Sequence, residues 1–456
     1  MFIGRLTERK TLEDIYSSDK SGIVILYGRI GMGKTALVNE FIREKQAFYY
    51  HFRDCTLREQ LFIMAEEVEN GTGKKIENAE NYSVAELLDI VLSGTDAAKK
   101  IVVFDEFHLG TKEPGLTDAI AAVLSDKERY GNVMFVLCSS SVNWVENDMI
   151  GEIGVAARFI LKFMKLKEMG FMELSQWFPR LSVEECIAIN AVIGGVPAYL
   201  ALWDDKKAYA ANIKRLFLSE SAPLFHEAEN VLKTELRELS AYNTILSALA
   251  SGKYKLNDIY LRTGFSRAKI SVYIKNLIKL DVVEKVFSAD SGNNDNAQKG
   301  LYRINDNFLN FWYRFVFPNL SEIARCNGEK LFDTKIKEEF KKYQRESFRG
   351  LCLEYLKLMT RHKRLAAEYD QWGSWYGKNG IIDILAESDG TILAAVCNWG
   401  DRRPDEAMLT EIGDVVSSAG IRPEEIFLFS QKGISMEARA AYQKHPELKV
   451  VELKDL

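Results

Sequence analysis

Cysteine pairs at metal-ligand or redox spacing are absent from this sequence. Its six cysteines (Cys55, Cys138, Cys186, Cys326, Cys352 and Cys397) are scattered along the chain, and its five histidines are dispersed as well. This excludes a disulfide-stapled scaffold and a closely spaced zinc site, and it reads as a reduced, cytoplasmic protein. No apolar run reaches the length of a bilayer span, and charge enters early, at Arg5, Glu8, Arg9 and Lys10. Neither a signal peptide nor a transmembrane helix is expected, and no membrane partner. A basic excess is lacking too. The formal net charge of -5 argues against a globally basic nucleic-acid binder but leaves room for a local basic patch. Repeats and low-complexity tracts are also missing. What is there is an ordinary globular composition, 47% hydrophobic and 27% charged, over 456 residues, enough for two to four domains.

The most informative stretch is Gly28-Arg29-Ile30-Gly31-Met32-Gly33-Lys34-Thr35, which lies between an apolar run, Ile23 to Tyr27, and a segment with helical apolar spacing, Thr35 to Ile42. Strand, glycine-rich turn and helix in that order make a phosphate-binding loop. Glycines at 28, 31 and 33 let main-chain N–H groups curl around a polyphosphate at the positive end of the helix dipole, and Arg29, Ile30, Met32 and Ala36 belong to the same cradle. Lys34 is expected to reach the β- and γ-phosphates of ATP. Thr35 is expected to ligate Mg²⁺, a hard ion that prefers oxygen.

Turnover needs a carboxylate near the metal and a group that activates water. Ile101-Val102-Val103-Phe104 reads as a buried parallel strand, and Asp105 and Glu106 stand at its carboxyl end, where such sheets bind ligands. Asp105 is the candidate metal ligand and Glu106 the candidate general base. A third strand, Val133 to Cys138, ends in Ser139-Ser140-Ser141, which reads equally as a γ-phosphate sensor, with Ser139 the candidate, or as a plain serine-rich turn. Arg158 reads as a surface arginine or as a charge clamp from its own or a neighbouring subunit.

Past Lys165 the strand pattern stops and helices follow, broken at Gly194-Gly195-Val196-Pro197, either by a simple turn or by a bend that carries a helical lid over the base. From Tyr242, three helices are expected: Ile245, Leu246 and Leu249 mark the first, Leu256, Ile259 and Tyr260 the second, and Ile270, Ile274, Leu277 and Ile278 the third. A hairpin wing of Val282–Phe287 and Leu301–Ile304, with a polar loop at 291–296, completes a winged helix-turn-helix. Residues 242–287 hold eight Lys or Arg against three acids, a local charge of +5 in an acidic chain. DNA contact through Arg267, Lys269 and Lys275 and contact with a protein partner or a second copy both remain open. The aromatic run Phe311-Trp312-Tyr313 reads as core. Strands return near 380–385, 392–397, 426–429 and 449–451.

The order of these motifs, with Phe2-Ile3-Gly4-Arg5 ahead of the loop and Gly-Gly-Val-Pro at 194–197, resembles a family of prokaryotic phosphate-loop ATPases in the superfamily of signalling ATPases with numerous domains. The resemblance spans essentially the whole chain. It implies an α/β fold: a doubly wound parallel ATPase sheet (1–165), a helical lid (166–235), a winged helix-turn-helix (236–305) and an α/β restriction-endonuclease-like domain (306–456). It also implies that Pro197 sits near the adenine and that Arg5 lies where the amino-terminal segment meets the nucleotide. The last domain departs from the nuclease pattern. Asp383 fills the first acidic position and Glu354 is a candidate helix acid, but Val396-Cys397-Asn398 stands where an acid, any residue and a lysine are wanted. Valine cannot ligate a metal, and asparagine carries no charge, so an inactive domain is expected. The leading expectation is an ATP-hydrolysing switch. The alternatives are a nucleotide-gated DNA-binding regulator with little turnover and, disfavoured by Val396 and Asn398, an ATP-dependent nuclease.

Overall fold

The computed structural model describes residues 2–93, 98–113, 115–286, 300–377 and 380–456. They form two compact units: Met1–Met169 with Val196–Ala198, and Gly170–Gly195 with Tyr199–Leu456.

The first unit is built on β1 (Gly22–Tyr27), β2 (Ala47–His51), β3 (Lys99–Asp105), β4 (Asn132–Ser139) and β5 (Ile160–Lys165), in the order β2-β3-β4-β1-β5 with every pair parallel. Every residue of β1 is buried, as a parallel strand in the middle of a covered sheet requires. Because all strands run the same way, Tyr27, His51, Asp105 and Ser139 finish on one edge, with Tyr27 paired to Ser139 and His51 to Asp105. Two strands were not read from the sequence. β2 is short, and β5 is an edge strand whose Leu161, Lys162 and Phe163 are exposed, so neither shows the buried run that marks β1, β3 and β4.

A helix, Leu6–Ser17, precedes β1, and its end is held by a lysine from another strand. Lys99, 5% exposed, donates its ammonium to the carbonyls of Ile15, Ser18 and Lys20 at 2.6, 2.8 and 2.8 Å. A cation at a helix carboxyl end meets both the dipole and the orphan carbonyls. Burial still lowers its pKa from the usual lysine value.

The second unit opens with helices from Phe171 to Glu235, among them Val183–Ile193, which stops at Gly194 with φ +63°. Helices Leu239–Ala250, Leu256–Thr263 and Arg267–Lys279 then pack through Ile245, Leu246, Leu249, Ile259, Ile270, Ile274 and Leu277, all buried. Tyr260 and Ile278, expected on that packed face, are each 37% exposed, and the Arg267 guanidinium lies over the Tyr260 ring. β6 (Val283–Val286) pairs antiparallel with β7 (Leu301–Ile304). Phe287 and the loop expected at 291–296 lie outside the described residues.

Phe311, Trp312 and Tyr313 are core, as their composition suggested. The Trp312 indole N–H donates to the Phe225 carbonyl and the Tyr313 hydroxyl to the Asn243 side-chain carbonyl, each at 2.7 Å. The last five strands are β8 (Gln371–Gly377), β9 (Gly380–Ser388), β10 (Thr391–Asn398), β11 (Glu425–Ser430) and β12 (Leu448–Glu452). They lie in sequence order across a mixed sheet, β8, β9 and β10 antiparallel and β10, β11 and β12 parallel. β8, rich in glycine and aromatic residues, was not read from the sequence.

Candidate nucleotide-binding site

The glycine-rich turn leaves β1 at the edge where the strands finish. Gly28 holds φ +153°, and a Cβ there would stand 2.6 Å from the Leu166 carbonyl oxygen, so only glycine fits. Gly31 holds φ +86° and lies against Val196 and Ala198, whose side chains are 3.3 and 3.1 Å from where its Cβ would be. The Ala198 N–H also donates to the Gly31 carbonyl at 3.2 Å. The Gly28 N–H donates to the Ser139 carbonyl at 3.2 Å, tying the loop to β4.

The helix Lys34–Ile42 starts directly after Gly33, with Leu37, Val38 and Phe41 on its buried face. Ile30, Thr35 and Ala36 are exposed, Met32 is buried, and the Arg29 guanidinium lies 3.4 Å from Glu168. Lys34 is buried, and its ammonium donates to the carbonyls of Gly28 at 2.7 Å and Arg29 at 3.3 Å.

Thr35 and Asp105 meet. The Thr35 hydroxyl donates to Asp105 Oδ2 at 2.9 Å, so two hard oxygen donors stand side by side at the end of the loop. This donor set fits Mg²⁺. The same Oδ2 accepts the Tyr49 hydroxyl at 2.6 Å and lies 3.5 Å from His51 Nδ1, while Oδ1 accepts the Glu106 N–H at 3.0 Å. Burial raises the Asp105 pKa, but these hydrogen bonds from Tyr49 and Thr35, with His51 and the Glu106 N–H, outweigh it and hold the carboxyl below the usual carboxylate range. Desolvation and the neighbouring carboxylate push the Tyr49 phenol far up, so it remains a donor.

Glu106 follows in a left-handed conformation, φ +52°, uncommon for a residue with a side chain. Its carboxylate accepts the Ser140 N–H at 3.0 Å and the Ser140 hydroxyl at 2.6 Å, with His108 Nδ1 at 3.4 Å. Ser139, 1% exposed, has its hydroxyl 3.2 Å from the same His108 nitrogen. Burial lowers the His108 pKa by more than Glu106 raises it, with Lys34 and Lys112 adding to the lowering. Glu106, Ser139 and Ser140 thus form one hydrogen-bonded group about His108.

Arg5 does not stand free for a ligand. Its guanidinium is 4% exposed and donates to the carbonyls of Met32, in the loop, at 3.1 Å and of Lys167, just past β5, at 2.6 Å, with Glu8 at 3.2 Å. Pro197 lies against the loop, its Cγ 3.7 Å from where a Gly33 Cβ would stand. Arg158 precedes β5, at the sheet edge opposite the loop, and donates to the Ser125 hydroxyl at 3.0 Å, which removes it from the site of its own subunit. Tyr49, His51 and His108 were missed in the sequence. None belongs to a motif, and only the pairing of β2 with β3 would have pointed to the first two.

In the second unit, Arg267, Lys269 and Lys275 are exposed on the helix Arg267–Lys279. Arg267 donates to Asn257 at 2.6 Å and lies over the Tyr260 ring, and Lys269 lies over the Phe265 ring. Asp383 is 3% exposed, and its carboxylate accepts the Arg345 guanidinium and the Cys397 N–H, each at 2.7 Å. Burial keeps its pKa above the usual value despite Arg345. Glu354 is not beside it: its carboxylate accepts the N–H groups of Phe171 and Met172, at the start of the helix Phe171–Trp177. Among the described residues no group of three or more His, Cys, Asp or Glu side chains could hold a metal ion, and no helix is long and apolar enough to cross a membrane.

A glycine cradle, a lysine, and a hydroxyl and carboxylate pair at the carboxyl edge of a parallel sheet define a phosphate-loop nucleotide site. Comparison with known proteins agrees. Residues 2–202 match the family described as an ATPase domain predominantly from Archaea, and residues 312–409 match a family of archaeal and bacterial proteins of unknown function. The chain therefore carries an archaeal-type ATPase domain followed by a segment of that second family. It is similar to an uncharacterized protein of Methanocaldococcus jannaschii, 26% identical over 412 residues and covering 88% of each chain. It is also similar to an uncharacterized ATP-binding protein of the same organism, 39% identical over 46 residues, which cover 10% of this chain and 78% of that one. Among solved structures, a Walker-type ATPase of Pyrococcus abyssi aligns over 69% of this chain and 96% of its own, with 17% identity and a TM-score of 0.48. The ORC2 protein of Aeropyrum pernix aligns over 74% and 96%, with 15% identity and a TM-score of 0.42.

Proposed function

We propose that this protein is a Mg²⁺-dependent ATP hydrolase that works as a switch. The observation that carries the reading is the meeting of Thr35 and Asp105 at 2.9 Å beside the Lys34 loop, with Glu106 next in the chain. The N–H groups that follow Gly28 in the loop bind phosphate, and Lys34 exchanges the Gly28 and Arg29 carbonyls for phosphate oxygens. Bound Mg²⁺ would be held by Thr35 and Asp105 and would neutralise charge on the phosphates. Glu106 accepts a proton from the attacking water once it leaves Ser140, and Ser139 senses the γ-phosphate. Pro197, against the loop, borders the base.

The fine organisation belongs to the same proposal: ATPase domain 1–165, helical lid 166–235, winged helix 236–305 and a restriction-endonuclease-like domain 306–456. The lid and winged helix read the nucleotide state by population shift. The last domain is read as inactive, because Asp383 is committed to Arg345 and Cys397, Glu354 caps a helix, and Val396 and Asn398 supply no second acid or lysine. The test is steady-state hydrolysis by Glu106→Gln. A hydrolase loses turnover on the order of 10²–10³-fold and keeps its ATP affinity. Unchanged turnover removes Glu106 as the base.

A second reading, a nucleotide-gated DNA-binding regulator, is favoured by the exposed cations Arg267, Lys269 and Lys275 on one helix. DNA binding measured with and without ATP at two salt concentrations decides it, since phosphate contacts give a steep salt slope and a flat one points to a protein partner.

A further inference from the structure

Away from the phosphate loop, the second unit contains a cavity of about 420 Å³, within the range of roughly 300–1,000 Å³ typical of small-molecule sites. Three segments build it: the first half of the helix Val183–Ile193, the stretch from Trp203 to Tyr209, and the helix turn from Phe340 to Gln344. The lining combines aliphatic side chains with three aromatic rings. Trp203 and Phe340 are buried, and the Tyr209 ring stacks on that of Phe340 with centroids 4.9 Å apart and planes 18° apart.

The polar groups divide sharply into two sets. Those at the rim are already engaged: Lys207 with Asp204 at 3.0 Å, Lys341 with Asp401, Glu184 with the Gln431 amide at 2.7 Å, and Glu185 with the Ser182 hydroxyl and N–H. Those in the floor are not. The Gln344 side-chain amide and the Trp203 indole N–H belong to residues only 8% and 7% exposed, and neither has a hydrogen-bond partner among the described residues. Both groups line the cavity and are available to the polar edge of a molecule that enters it.

We infer that this cavity binds a flat, uncharged heterocycle of the nucleobase class, presented as a base or nucleoside. The Gln344 amide offers a donor and an acceptor side by side, the pairing an amide makes with a base edge that has a ring acceptor beside an amino group or a carbonyl beside an N–H. The Trp203 N–H supplies a further donor for a ring or carbonyl acceptor. The Tyr209 ring, 36% exposed with Phe340 stacked beneath it, gives stacking surface to a ring of that kind. A phosphate is not selected, because the rim lysines are balanced by carboxylates. The site shares no residue with the phosphate loop, so it stands or falls apart from ATP hydrolysis.

The test is calorimetric titration of the full chain with adenosine, guanosine, cytidine and uridine, each in the presence of saturating ADP and Mg²⁺ so that the loop site is occupied. At least one nucleoside is expected to bind. Gln344→Leu, which keeps the volume and removes the amide, should weaken it about tenfold or more, and Trp203→Phe should weaken it by a smaller factor. Lys34→Ala should leave its affinity unchanged. Absence of heat with all four nucleosides overturns the proposal, and so does an affinity that neither cavity variant moves. If Gln344→Leu fails to give the far-ultraviolet spectrum of the parent protein, Trp203→Phe alone decides, since it retains an aromatic ring in the same place.

Discussion

Replacing Tyr49 by phenylalanine tests whether the Asp105 carboxylate is positioned from the neighbouring strand. The substitution removes one hydroxyl and no ring, so it opens no cavity. The lost bond is an O–H to carboxylate contact of 2.6 Å, in the range of charge-assisted hydrogen bonds, to an acid that is 1% exposed. Hydrogen bonds to charged groups are worth about 1.5–3 kcal/mol. Thr35 and the Glu106 N–H remain as donors to Asp105, which puts the expected loss near the lower end, ~1.5 kcal/mol, or about tenfold in the opening equilibrium of β3. Its pH dependence has a definite sign. Asp105 is held below its ordinary value of 3.8, so the stabilisation is complete above that value and disappears as pH falls through the folded one. The gap between wild type and variant should therefore be full at neutral pH. Native-state hydrogen exchange of the β2 and β3 amides measures it, and the Mg²⁺ concentration giving half-maximal hydrolysis should rise severalfold with a smaller change in kcat. Exchange rates and magnesium requirement both equal to wild type would refute the idea that Tyr49 orients the metal-binding acid.

Three further outcomes follow from other ionisable side chains. Arg5→Met strips donors from the Met32 and Lys167 carbonyls and should cost ~2–4 kcal/mol, with ATP affinity about tenfold weaker in calorimetry because the loop loses its brace; unaltered affinity would mean that the loop holds its shape without Arg5. Lys99→Met should lower stability by ~2–3 kcal/mol in thermal melts by orphaning three carbonyls, and a variant as stable as the parent would contradict that account. His108 titrates below its ordinary value of 6.5, so its neutral form stabilises the fold above that pH, and the benefit is lost as pH drops through the folded value. Urea midpoints of His108→Gln should accordingly vary less than those of wild type between pH 7 and about 5.5, and parallel curves would remove His108 as the source.

The phosphate loop, the Asp105–Glu106 strand and the serine-ended strand were legible because each combines a buried apolar run with chemistry at its carboxyl end, and local sequence records both. Their convergence was legible as well, since parallel strands deliver their ends to one edge. The donors that tune the site were not. Tyr49 reaches Asp105 only because β2 pairs with β3 in a given register, and nothing within Ala47–His51 announces that register. Arg5 was placed beside the nucleotide by family likeness, and only the structure shows that its guanidinium holds the carbonyls of Met32, in the loop, and Lys167. In the second unit the helices were legible from their apolar spacing. β8 was hidden because glycine and aromatic residues replace the alternation that betrays a strand.

The chain enters the ATPase unit a second time for three residues only, Val196–Ala198, and the middle one is proline. Val196 and Ala198 meet Gly31 by side-chain contact and by the Ala198 N–H, while the helix Val183–Ile193 precedes the segment and the helix Pro197–Leu200 begins at its proline. A strut so short, held at both ends and stiffened by a pyrrolidine ring, has little slack to absorb a shift of the glycine turn. In the proposed switch, a shift of the glycine turn would therefore be felt first along the main chain at these three residues.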